Sequence, residues 1–226
     1  IGNTFVSTES DAWQSAMADG QTIEISASDE FPSIDGIVSQ DGFSIAENLY
    51  YGVPYQGSQA GNLYVLSSVG DAFTIESQKD VSIGAMLQVV DAKSLSFKLG
   101  ADADLIIGNG GIQVGESSKS ASLALQDVDE LTVGGGIRSF GNFSVSANSV
   151  NVQGGIDVNT LVGTEKTSIV SLGGVSFAGL NASGVGSTSI TAGDNSDLVS
   201  NGTIENNAVQ LKKQVQKIME KHGLKD

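Results

Sequence analysis

The side chains that could bind a ligand are concentrated early in the chain. All four tyrosines, Tyr50, Tyr51, Tyr55 and Tyr64, fall within 15 residues, three of them in the stretch Asn48 to Gly57. Pro54 and the glycines at 52 and 57 mark a loop there. Exposed tyrosines beside Asn and Gln can stack on sugar rings and hydrogen-bond their hydroxyls, so these four are the candidate ligand-binding residues. The competing reading is a loop folded back on the body with its rings buried for packing. Carboxylates offer a second chemistry. Asp102 and Asp104, then Asp127, Asp129 and Glu130, are spaced as hard oxygen ligands of a cation can be. The glycine–aspartate nonapeptide of calcium-binding β-repeats is absent, however, and acidic turns on so negative a protein are usually just solvated. No metal and no cofactor is expected.

Catalytic groups are scarce. His222 is the only histidine and Arg138 the only arginine. With His222 in the last residues, a Ser-His-Asp arrangement fails. Arg138 directly follows Gly-Gly-Ile and reads as a solvated turn residue rather than a base. No catalytic residue is assigned.

Charge narrows the partners. Eleven Lys plus Arg face 26 Asp plus Glu, for a net of −15. Lys212, Lys213, Lys217, Lys221 and Lys225 are opposed only by Glu220 and Asp226, so the last 20 residues carry +3 and the rest −18. A body this acidic repels phosphate, which excludes nucleic acid and anionic lipid. No apolar run approaches the roughly 18 residues of a membrane span, so no membrane insertion is expected. There is no cysteine, hence no disulfide or thiolate metal site. The chain opens without the basic and apolar regions of a secretory leader, so it reads as cytosolic or as having lost one.

The elements that must hold these groups are short strands in a repeating register. Leu123-x-Leu125, Leu131-x-Val133 and Gly135-Gly136-Ile137 return as Phe143-x-Val145, Val150-x-Val152 and Gly154-Gly155-Ile156, at offsets of 20, 20, 19, 19 and 19 residues. A register kept that closely predicts similar coils stacked on one another. The double glycines at 110–111, 135–136, 154–155 and 173–174 are 25, 19 and 19 residues apart, and the longer step predicts a turn excursion over Val114 to Ser120. With 29 glycines and two prolines, many tight turns are expected. Coils of about 20 residues would give roughly nine turns in a rod of about 40 Å. A β-sandwich gives no reason for this register, and the fixed leucine and asparagine positions of leucine-rich repeats are missing.

The first 25 residues add a helix and a strand. Ser7, Thr8 or Ser10 can cap a helix over about 8–19, with Ala12, Trp13, Ala16 and Met17 on one face and Asp19-Gly20 closing it. Gln21-Thr22-Ile23-Glu24-Ile25 follows as an alternating strand. This opening resembles the right-handed parallel β-helix proteins of the pectate-lyase-like superfamily. The resemblance implies an all-β, single-stranded right-handed parallel β-helix over 1–205, its open bottom covered by the helix. It extends to the scaffold alone: the lysine or arginine base with calcium carboxylates, and the paired aspartates with histidine, are not matched here.

A change of character follows at 206. Leu211, Val215, Ile218, Met219 and His222 lie at i, i+4, i+7, i+8 and i+11, which predicts an amphipathic basic helix over 206–226 that packs on the coil or binds a partner. Taken together, the chain resembles the passengers of autotransporters and filamentous-haemagglutinin-type adhesins. That implies a non-catalytic, secreted or bacterial cell-surface module, adhesin-like or structural, with its leader removed. Its partners would be glycans, through the tyrosine-rich loop, or host and cell-surface proteins. The alternatives are a carbohydrate-active enzyme, lyase or hydrolase, and a phage-fibre-like trimer; the oligomeric state is left open.

Overall fold

The computed structural model describes residues 5–11, 13–14, 23–26, 35–46, 48–51, 63–66, 72–90, 92–163, 168–171, 173, 175–182, 188–192, 198–200, 204–205 and 209–212. Alternation of apolar with Ser, Thr and Asn makes most of these residues β-strand. The fold is all-β, and every strand-to-strand pairing among the described residues is parallel, within one continuous, curled sheet.

The strands fall into three ladders that the chain visits in turn. In the first, Phe73, Leu95, Leu123, Phe143 and Leu161 align in register, as do Ile75, Phe97, Leu125 and Val145. The second ladder aligns Val81, Leu105, Leu131, Val150 and Ile169, and beside them Ile83, Ile107, Val133, Val152 and Ser171. The third aligns Leu87, Ile112, Ile137 and Ile156, with Val89, Val114, Ser139 and Val158 alongside. All of these side chains are buried. Alternate residues face the other side of the sheet, so one apolar core is built from like-for-like columns.

The two serines in those columns are satisfied. Ser139 Oγ lies 3.1 Å from the carbonyls of Ala121 and Asn142, and Ser171 Oγ donates to Gly154 O at 2.9 Å. Each thereby avoids the cost of a buried, unpaired hydroxyl.

The change of offset from 20 to 19 has a structural cause. Leu125 pairs with Val145 but Val128 pairs with Ala147, so Gln126 and Asp127 together oppose Ser146. This is a β-bulge. Asp127 takes a φ of 57°, in the left-handed region that Asp tolerates better than most residues. The longer glycine step is explained as well. Glu116 and Lys119 exchange backbone hydrogen bonds of 3.0 and 2.9 Å, closing a small turn between Val114 and Ser122.

Three expectations change. Of the helix over about 8–19, the described residues hold only one turn: Gln14 N donates to Ser10 O at 3.0 Å and Trp13 N to Ser10 Oγ at 3.3 Å. Beyond Gln14 that segment lies outside the described residues. The turn packs against the second ladder. Trp13, 4% exposed, meets Phe43 edge-on at 5.7 Å, where Phe43–Ile45 begins the second ladder. The helix over 206–226 is corrected at its start, because Val209–Lys212 is a strand in register with Thr188–Thr191. Pairing with an open strand edge satisfies its N–H and C=O groups, and that outweighs a helical apolar spacing. Residues 213–226, with His222, lie outside the described residues. Finally, Leu49–Tyr51 is a strand rather than the beginning of a loop.

Candidate functional site

Three of the four ligand-binding candidates, Tyr50, Tyr51 and Tyr64, lie on strands of the third ladder. Its first rungs are not in chain order: Leu63–Leu66 lies between Ile23–Ser26 and Leu49–Tyr51, and Met86–Val89 follows. This inserted strand sets Tyr64 directly across from Tyr50. One register line therefore runs Glu24, Tyr64, Tyr50, Gln88, Gln113, Arg138, Asp157, Ser176. Neighbouring rungs of a parallel sheet are about 4.8 Å apart, so these register positions form one file, described in its side chains from Tyr50 to Asp157.

The file stands on a rigid base. Leu49, Leu87 and Val89, alternating with Tyr50 and Gln88, are fully buried. Tyr50, Gln88 and Gln113 are half-buried. Gln113 Nε2 donates to Gly115 O at 3.4 Å, a long bond that anchors the amide weakly. Arg138 is a strand residue, not the turn residue its Gly-Gly-Ile setting suggests. Its Cζ lies 4.6 Å over the Phe140 ring and its Nε 3.7 Å from Asp157 Oδ2, with both charged side chains more than half exposed. Stacking on the ring orients the guanidinium, while an exposed pair of this length contributes little.

The four tyrosines thus separate. Tyr50 and Tyr64 share the file; Tyr51 occupies the alternate position on its strand, in register with Val65 and Val89. Tyr55 lies outside the described residues. The clustering of tyrosines in sequence carries no local signal that marks Leu63–Leu66 as the strand beneath Leu49–Tyr51. Gln88 and Gln113 join this file only through the register, because single glutamines in alternating strands carry no signal in the sequence.

The carboxylates form a separate feature. Asp102, Asp127 and Asp129 border an open depression of about 530 Å³ floored by Leu99, Val128 and Ala147. Asn148 Nδ2 hydrogen-bonds Asp129 at its rim. Among the described residues no three Asp, Glu or His side chains are grouped closely enough to hold a metal ion.

Chemically, Tyr50, Gln88 and Gln113 set one phenol and two amides on successive rungs of the third ladder. No protein-family model, no curated protein and no solved structure matches this chain.

Proposed function

We propose that this chain is a non-catalytic, single-stranded right-handed parallel β-helix of the pectate-lyase-like kind, an adhesin-like or structural module of the bacterial cell surface or of secretion. The proposal extends to a glycan ligand held along the file of Tyr64, Tyr50, Gln88 and Gln113. The observation that carries it is the strand register. In all three ladders, from residue 72 onward, a strand pairs with one about 18 to 28 residues later, as from Leu105 to Leu131 and from Ile137 to Ile156. A chain that moves in turn through three parallel ladders at that interval reads most simply as a coil. Parallel crossovers are right-handed in nearly all proteins, which supplies the hand. A file of aromatic and amide groups on a stiff support suits retention of a sugar chain without chemistry, because stacking and hydroxyl recognition need no titrating group.

The test is incubation of the protein with a panel of acidic and neutral polysaccharides. Retention without cleavage supports the reading; release of unsaturated or reducing ends replaces it with the carbohydrate-active enzyme. In the retained case Tyr50→Ala and Tyr64→Ala should each weaken binding about fivefold or more, the contribution of about 1–3 kcal/mol typical of a stacking partner. Unchanged affinity in both variants removes the file as the site.

A further inference from the structure

The residues immediately preceding the second-ladder strands form a column of their own. Gly42, Asp80, Asp104, Glu130 and Ser149 directly precede Phe43, Val81, Leu105, Leu131 and Val150, which are in register. Three consecutive rungs of that column are carboxylates, and neutral residues flank them. Two of the acids are tied to the next rung. Asp80 Oδ1 accepts the backbone N–H of Asp104 at 2.9 Å, and Asp104 Oδ1 accepts that of Glu130 at 3.2 Å. Glu130 Oε1 in turn accepts from Asn151 Nδ2 at 2.8 Å and Thr132 Oγ1 at 3.1 Å.

The same groups that staple the rungs therefore keep like charges on neighbouring rungs, where direct opposition is destabilising. Asp104 is in the middle. Asp80 faces it from the rung below; Asp129 and Glu130 face it from the rung above. The neighbouring cation Lys79 is turned to Asp41, at 3.1 Å.

We propose that the Asp80–Asp104–Glu130 column is a proton-operated clasp: uptake of one proton at Asp104 removes the repulsion between rungs and tightens this part of the sheet in acid. Desolvation, with the charges of Asp80, Asp129 and Glu130, holds the Asp104 carboxyl above its ordinary value of 3.8, while the Glu130 N–H opposes the rise. The sign follows from linkage. A raised carboxyl pKa means that the folded chain binds more protons than the unfolded one. Its stabilisation is complete below the unfolded value and fades as pH rises through the folded value.

Amide exchange at Asp104, Asp129 and Glu130, corrected for intrinsic rates, tests this at about pH 7.5 and about pH 4. In the wild type these amides should open severalfold less often in acid than at the higher pH. Asp104→Asn, which keeps the accepting oxygen, should be as protected at the higher pH as the wild type is in acid, and should lose the pH response. Glu116→Gln, in the excursion turn, changes net charge equally and should leave the response intact. Equal effects of the two variants would mean general charge repulsion and would overturn the clasp. If Asp104→Asn does not fold, carboxyl carbon NMR of the wild type decides: a titration midpoint for Asp104 at or below 3.8 rejects the clasp.

Discussion

Gly108→Ala tests the stacking directly, because it puts one methyl group between two rungs. Gly84, Gly108 and Gly134 follow Ile83, Ile107 and Val133, which are in register, so they occupy one column at the exit of the second ladder. None of the three has a positive φ, so the constraint is close approach rather than handedness. A Cβ at Gly108 would lie 1.6 Å from Gly84 O and 2.4 Å from Gly84 C. Those atoms are main chain held by a ladder, with Gly84 N bonded to Ile45 O at 2.6 Å, and cannot swing away. Relief requires the rungs to part by more than an ångström.

That movement would strain the bonds meeting at Gly108, to Ile83 O at 2.8 Å and from Gly111 and Gly135 at 3.1 Å each, and would loosen Ile83 against Ile107. At about 1 kcal/mol per hydrogen bond, plus the overpacking cost, the expected loss is about 3–5 kcal/mol. Against a typical total of about 5–15 kcal/mol this is severe. Gly134→Ala is the internal control. Its Cβ would meet the Asn109 side-chain oxygen at 2.8 Å and main chain only at 3.1 Å, and Gln153 carries a side chain at the position that bonds to Val133 on the next rung. About 1 kcal/mol is expected there. Urea unfolding of both variants reads the difference. A Gly108→Ala loss within about 1 kcal/mol of wild type, or equal to that of Gly134→Ala, would refute rung-on-rung contact in this column.

Phe97→Ala should cost about 3–5 kcal/mol by urea unfolding, because the ring is fully buried between Ile75 and Leu125 in its column, whereas Ser96→Ala on the other side of the strand should stay within about 0.5 kcal/mol. The N-terminal turn should be acid-labile through Glu9. The Gln40 N–H at 2.8 Å, with the Ser7, Thr8 and Ser39 hydroxyls, pulls its carboxyl down from 4.5 to about 2. A lowered pKa contributes stability above the unfolded value that is lost as pH falls from 4.5 towards 2; since Glu9 is exposed, screening reduces this to about 1 kcal/mol. Trp13, the only tryptophan, reports on it: its emission should shift to the red over that range, and Glu9→Gln should show a smaller acid step; an emission unaffected by pH would count against the attachment.

Much of the fold was legible from residues 123 to 156. The pairs expected from spacing, Leu123 with Phe143, Leu131 with Val150 and Ile137 with Ile156, are the pairs observed. Parallel in-register stacking makes this possible, because each rung meets the same environment and selects the same residue type at the same interval. The tyrosine segment was legible only as a cluster. Its organisation depends on Leu63–Leu66 entering the third ladder beneath Leu49–Tyr51, a non-sequential pairing that leaves no periodic trace. Val209–Lys212 was misread because Leu211 and Val215 are helically spaced, and the strand edge that Val209–Lys212 joins is formed by residues 188–191.

By itself, the sequence determined the alternation that divides core from surface and, over residues 123–156, the strands and their interval of pairing, since these depend on spacing along the chain alone. Only the tertiary structure decided which residues meet: the strand of Tyr64 with that of Tyr50, Asp80 with Asp104, Asp104 with Glu130, and Trp13 with Phe43. Those contacts join residues 14 to 30 positions apart through rungs whose order and bulges are set by packing, and packing is a property of neighbours in space rather than of neighbours in sequence.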